Sequence, residues 1–179
     1  IKFIVQEMPD SRKKRVLRSK YKNYYILLDQ TLDDRQIVLF YKVIDVYAHA
    51  SKIGESFGQT LAEAGVFKKP VVVNSTPRRD NNQLELIEHM KTGIIANHSQ
   101  TFARAVEYLY NNKDIRIKMG EAARVKVGDL YDPRRTAEQV EKVIIERLVK
   151  KKQHVDQQIV EYYDKIDYYP SEKEILAYK

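Results

Sequence analysis

Short apolar runs alternate with longer amphipathic stretches along this chain, and that alternation limits its possible folds more than any other feature. "IKFIVQ" (1–6), "NYYILLD" (23–29), "DVYAHA" (45–50), "PVVVN" (70–74) and "TGIIA" (92–96) read as strands. Between them, "TLDDRQIVLFYKVI" (31–44) reads as a helix, with Asp33 and Asp34 in the first turn suiting its positive end. "ESFGQTLAEAG" opens another helix that runs to about Val66, and "QLELIEHM" carries a short one. From Ser99 onward the pattern is helical throughout, and Asp132-Pro133 marks the start of a last long helix. There Val140, Val143, Ile144 and Leu148 recur at helical spacing. Strands alternating with helices predict βαβ units, hence an α/β, Rossmann-like parallel sheet with helices on both faces. The predicted organisation is a domain over residues 1–150 and a peripheral, helical and partly extended tail over 151–179.

Bulk properties narrow the function classes. A hydrophobic content of 43% with 32% charged residues is that of a globular chain rather than a disordered one. No apolar run approaches the roughly 18 residues a membrane-spanning helix needs, and the first residues lack a secretory apolar region. The absence of cysteine excludes a disulfide framework and thiolate metal sites, and it fits a reducing compartment. A cytoplasmic location is the expectation. The net charge of +7 is concentrated in "SRKKRVLRSKYK" and "VKKK". These runs read as a solvated face or as a peripheral contact with anionic lipid or another polyanion, with nucleic acid the least favoured partner.

The junction "DVYAHASKIGESFGQTLAEAG" is the chemically informative segment. Ligands of open parallel sheets bind beyond the carboxyl ends of the strands, where loops lead into helices. Ser56-Phe57-Gly58-Gln59 fits a capping box, with Ser56 as the cap and Gln59 reaching back. That placement puts Gly58 in the first turn, where exposed amides and the helix dipole suit a phosphate. Glu55 lies just before the helix and Glu63 about two turns inside it, roughly 12 Å apart at about 1.5 Å per residue. The geometry suits a diphosphate flanked by two hydroxylated groups. It equally suits a plain cap with two solvated carboxylates. His49 lies in the preceding strand, either facing the pocket or buried and hydrogen-bonded, while His89, His98 and His154 show no metal-ligand spacing. The tyrosine pairs at 24–25, 162–163 and 168–169 read as packing rather than as stacking platforms.

"ESFGQTLAEAGVFKKPVVV" resembles the donor-site signature of the family 4 retaining glycosyltransferases, which have the GT-B fold. The resemblance extends outward through "LFYKVIDVYAHAS", "QLELIEHMKTGII" and "AVEYLYNNKDIRIKMGEAAR", covering roughly residues 23 to 148. It implies the C-terminal, nucleotide-sugar-binding half of a GT-B enzyme with a helical C-terminal extension. It also implies a role for each matched position. Glu55 contacts hydroxyls of the transferred sugar and supports charge near its anomeric carbon. Phe57 and Gly58 offer backbone amides to the sugar, Gln59 and Thr60 line the phosphate end, Glu63 holds the ribose hydroxyls, and Ser51 shapes the pocket floor. The donor is a nucleotide-diphosphate sugar, bound without a metal or other cofactor.

Two departures from the family pattern stand out. Asn81-Asn82 replaces a usual Gly-Gly pair before the glutamate that matches Glu85, and asparagine's tolerance of positive φ would preserve the turn. Arg78 and Arg79 nearby either pair with phosphate or are plain surface residues. The second departure is one of extent: "IKFIVQ" resembles the second strand of the family's donor half. The first strand and the N-terminal acceptor domain are therefore expected in cis or in trans. The functional expectation is a retaining hexosyltransferase acting on a glycan, lipid or protein acceptor, inactive if isolated. The alternative is a non-catalytic nucleotide-sugar- or partner-binding module of the same fold.

Overall fold

The computed structural model describes residues 1–167. The tail beyond them, including the tyrosine pair at 168–169, lies outside the described residues. Backbone contacts divide the chain into two units, residues 1–128 and 129–179, whereas the predicted limit at 150 coincides with a helix end.

In the first unit the strands are β1 (Phe3–Gln6), β2 (Tyr25–Leu28), β3 (Tyr47–His49), β4 (Gly54–Glu55), β5 (Val71–Val73), β6 (Asp80–Asn81) and β7 (Gly93–Ile95). Interleaved are α1 (Asp10–Leu17), α2 (Asp34–Val43), α3 (Gln59–Val66), α4 (Gln83–Leu86), α5 (Ser99–Asn111) and α6 (Lys113–Leu130), the last of which runs just past the unit boundary. All strand pairs are parallel, as the βαβ pattern requires. β5 is central to a three-stranded sheet, β3-β5-β7, and its three valines are wholly buried, as expected of a strand covered on both faces. The main cluster packs Val72, Ile94 and Ala96 against Ala105, Leu109 and Met119 of α5 and α6.

β1 and β2 form a separate two-stranded sheet joined through α1. Phe3 stacks on Tyr25 across it, with ring centroids 5.4 Å apart. α1 buries none of its residues, so its basic run is left uncovered. Among the described residues β1 and β3 do not pair. A cleft of about 860 Å³ runs from the gap between their edges to the start of α3, and Val5, Phe40, Tyr47 and Thr60 are among its walls.

Local chemistry sets the helix ends. Asp33 caps α2 by accepting from the Arg35 N–H at 2.9 Å, so it precedes the first turn rather than lying in it. The second unit contains α7 (Pro133–Lys150) and α8 (Gln157–Asp164). Asp132 caps α7 with proline at its first position, the sequence signal for a helix start. Tyr162 and Tyr163 of α8 donate to Glu138 and Glu141 of α7, at 3.2 and 2.5 Å, and Lys142 donates to the Ile166 carbonyl at 2.6 Å. Among the described residues no helix is long and apolar enough to cross a membrane.

Candidate functional site

The junction from β3 to α3 holds the candidate residues, and a polar loop shapes it. Between β5 and α4 runs "NSTPRRDNN", from which Asn74, Asp80 and Asn82 bond back to the junction. Asn74 grips Ser51 from both sides: its Oδ1 accepts from the Ser51 N–H and its Nδ2 donates to the Ser51 carbonyl, both at 2.9 Å. The Ser51 hydroxyl closes the loop onto the Gly54 carbonyl at 3.0 Å. Gln83, wholly buried, is the hub. Its Oε1 accepts from the Glu55 N–H at 3.2 Å, while its Nε2 reaches the Asn74 carbonyl at 3.1 Å and Thr76 Oγ1 at 2.7 Å. A buried amide with both ends engaged fixes the surrounding backbone.

Asn81 and Asn82 extend this lattice. Asn81 pairs with Glu55 in the β4–β6 bridge and accepts from the Thr76 N–H at 2.8 Å. Asn82 donates its N–H to the Glu55 carbonyl at 3.0 Å and its side-chain amide to the Phe57 carbonyl. Asn82 has φ −61°, and neither asparagine takes positive φ. The expected left-handed asparagine turn is therefore not the device used; the two amides hold the strand by hydrogen bonds.

The predicted capping box is also corrected. α3 begins at Gln59, and its cap is Gly58 with φ +74° and no side-chain cap. The Ser56 hydroxyl instead bonds the Asp80 carboxylate, and Gln59 Nε2 reaches forward to Glu63 Oε1 at 3.1 Å. The reason lies in two competitors: the Asp80 carboxylate holds the serine hydroxyl, and Gly58 takes the left-handed turn, so the reversal falls at the glycine. A Cβ at Gly58 would lie 2.8 Å from Leu86 Cδ1, so the position demands glycine in space as well as in φ. The helix's first bonded amides are Leu61 and Ala62, both to the Gly58 carbonyl, at 2.9 and 3.0 Å. The amides of Gln59 and Thr60 precede them at the positive end of the dipole.

Gln59, Thr60 and Glu63 line the cleft that separates β1 from β3. Glu63 is held there by the Tyr41 hydroxyl, 2.9 Å from Oε2. Tyr41 is buried, and burial with Tyr47 and Glu63 beside it raises its pKa, so it remains a proton donor. Tyr47, packed against Tyr41, is raised by burial too. Along β3, Tyr47 stacks on His49, and His49 Nε2 lies 2.6 Å from Glu55 Oε1. His49 is thus the hydrogen-bonded strand histidine of the two sequence alternatives, half-buried and directed at Glu55. A continuous run, Glu55–His49–Tyr47–Tyr41–Glu63, joins the two carboxylates.

Each candidate now has a place. Gln59, Thr60 and Glu63 share the cleft; Ser51 and Glu55 sit in the lattice around Gln83; Gly58 links the two groups, and the Phe57 side chain is exposed. Arg78 and Arg79 lie on an exposed turn. Sequence reasoning missed Tyr41, Asn74, Thr76, Asp80 and Gln83. The signal available was the density of short amides and hydroxyls after a buried strand, residue types that bond nearby backbone.

The model of the family described as glycosyl transferases group 1 matches residues 6–126. No curated protein matches the chain. Among solved structures, Anabaena HepE in complex with UDP-glucose superposes with TM-score 0.65 at 20% identity, over 76% of this chain and 36% of its own. The C-terminal domain of a Francisella tularensis glycosyl transferase group 1 family protein gives 0.56 at 22%, over 67% and 63%. A Rickettsia africae glycosyltransferase gives 0.57 at 25%, over 67% and 31%. The chain thus spans about a third of two of these proteins and less than two-thirds of the other.

Proposed function

This chain belongs to the group 1 glycosyl transferases, and from that membership we propose that it is the donor-binding part of a sugar transferase. A nucleotide-diphosphate sugar lies across the start of α3. The amides of Gln59 and Thr60 take the diphosphate at the positive helix end. Glu63 accepts from the ribose hydroxyls, and Tyr41 holds its carboxylate ready. Glu55 contacts hydroxyls of the transferred sugar, with the amides of Phe57 and Gly58 beside it and Ser51 shaping the floor.

The observation that carries this reading is that Gln59, Thr60 and a hydrogen-bonded Glu63 line one cleft. The HepE relative, described with UDP-glucose, supports the choice of donor class. The Francisella relative, a C-terminal domain, supports the assignment of this chain to that half.

The proposal extends to the chemistry. Transfer proceeds with retention, as in family 4, through an oxocarbenium-like state. Glu55 stabilises its positive charge, and the helix start stabilises the departing diphosphate. Polypeptide outside these residues supplies the acceptor half, and the acceptor is a glycan, lipid or protein. In the part of the cleft between the β1 and β3 edges we place one further parallel strand. Donor binding needs no metal in this reading, so EDTA leaves it unchanged. The decisive measurement is calorimetric titration with UDP-glucose. Glu63→Ala is expected to weaken binding about tenfold by removing a charge-assisted contact to hydroxyls. Unchanged affinity in that variant removes the ribose role.

A further inference from the structure

Glu55 is held through both its backbone and its side chain. Its N–H goes to Gln83 at 3.2 Å, its carbonyl accepts from Asn82 at 3.0 Å, and β4 ties it to β6. The side chain is then restrained independently, because Oε1 lies 2.6 Å from His49 Nε2. His49 is the last residue of β3, and its ring stacks on Tyr47 with centroids 6.0 Å apart and planes 26° from parallel. A strand end and an aromatic stack leave the imidazole little freedom. The two side chains are 22% and 25% exposed, so the pair reaches solvent while resting on buried structure.

We propose that His49 is a positioning residue that fixes one oxygen of Glu55 and so aims the other, Oε2, at the hydroxyls of the transferred sugar. A carboxylate with one oxygen occupied has lost most of its rotamer freedom before the donor arrives, so less ordering is left for binding to offset. With Oε1 engaged, the plane of the carboxylate is fixed, so Oε2 favours hydroxyls placed in its lone-pair directions, which makes the site selective for their position. The inference rests on Glu55 being the sugar contact. It adds that the imidazole acts on the sugar end of the donor and leaves the nucleotide end alone.

The test uses the full polypeptide that carries this chain, with UDP and UDP-glucose as separate calorimetric probes. His49→Ala is expected to weaken UDP-glucose about tenfold while leaving UDP within about twofold. His49→Gln, whose amide nitrogen can reach the same place, restores most of the loss. In a Glu55→Ala background, His49→Ala has no further effect, since the group it positions is gone. Equal losses for UDP and UDP-glucose, no rescue by glutamine, or additive effects in the double variant each overturn the proposal. Should the unaltered protein bind neither probe, the donor reading fails by itself, and a ligand-independent measurement decides the role of His49. A downfield imidazole Nε2 proton resonance, present in the unliganded protein and lost in Glu55→Ala, supports the clamp; its absence from the unaltered protein refutes it.

Discussion

The Tyr41 hydroxyl lies 2.9 Å from Glu63 Oε2 and 3.1 Å from the Thr60 carbonyl, so one proton serves two acceptors on the first turns of α3. Tyr41 comes from α2, and its ring stacks on Phe67 just beyond the other end of α3, with centroids 5.5 Å apart and planes 7° from parallel. One side chain therefore fixes both the tilt of α3 and the carboxylate it carries. Tyr41→Phe keeps the stack and removes the proton. The expected cost is about 1 kcal/mol of stability, the usual value for one hydrogen bond. UDP-glucose affinity is expected to fall about fivefold, because Glu63 must be ordered by the ligand instead. Urea denaturation and calorimetry measure the two effects separately, and a stability loss with unchanged affinity would detach Tyr41 from the site.

At the helix start, Gly58→Ala meets two independent penalties. The backbone sits at φ +74°, and the added methyl falls 2.8 Å from Leu86 Cδ1. The expected destabilisation is about 2 kcal/mol, typical of a side chain forced into the left-handed region against a packed neighbour. Pairing it with Leu86→Ala separates the terms, since the smaller neighbour removes the clash and leaves the φ penalty. Denaturant midpoints of the single and double variants measure both.

The fold was legible because its signals are periodic. "VVV" bounded by turns, the Asp132-Pro133 start and the alternation of strand and helix patterns all reflect burial, which repeats along the sequence. The site was half legible. Gln59, Thr60 and Glu63 recur at helical spacing, and they do share a cleft. The capping box was misread because a local pattern competes with a partner it cannot reveal: Asp80, 24 residues away, captures Ser56. Tyr41 and Gln83 were invisible for the same reason. Tyr41 reaches Glu63 across 22 residues and Gln83 reaches Glu55 across 28, and no spacing rule encodes that approach.

Gln83 offers the sharpest test of the polar lattice. Gln83→Leu preserves much of the volume but strands two partners at once, the Glu55 N–H and the Asn74 carbonyl, and takes one donor from Thr76 Oγ1. Gln83 is itself wholly buried, so water cannot replace its amide at no cost. The expected loss is about 3 kcal/mol, since each unsatisfied buried group carries a penalty of its own. Chemical denaturation measures it. A loss below about 1 kcal/mol would mean that solvent enters the junction and that the lattice is looser than its geometry.

The last prediction concerns acid. Glu88 accepts from Lys126 at 2.8 Å and from Lys91 at 2.7 Å, and the Lys126 bond first, then the Lys91 bond, lower its pKa from the ordinary glutamate value. A lowered folded pKa means that the pair stabilises the fold fully above the unfolded value, near 4.3. That contribution is lost as the pH falls through the folded value. Lys126 is largely covered, with 16% of its side chain exposed, whereas Glu88 is 39% exposed, so solvent screens the pair. Lys126→Met is therefore expected to cost only about 0.5 kcal/mol at pH 7. The sign of the pH dependence is the stronger test: the gap between variant and unaltered protein should close as the pH drops below the folded pKa. It should also narrow at high salt, as a screened ion pair must. Urea midpoints at pH 7 and near pH 2, each at low and high salt, measure both trends. A gap that persists in acid would assign the Lys126 contribution to packing of its methylene stem instead.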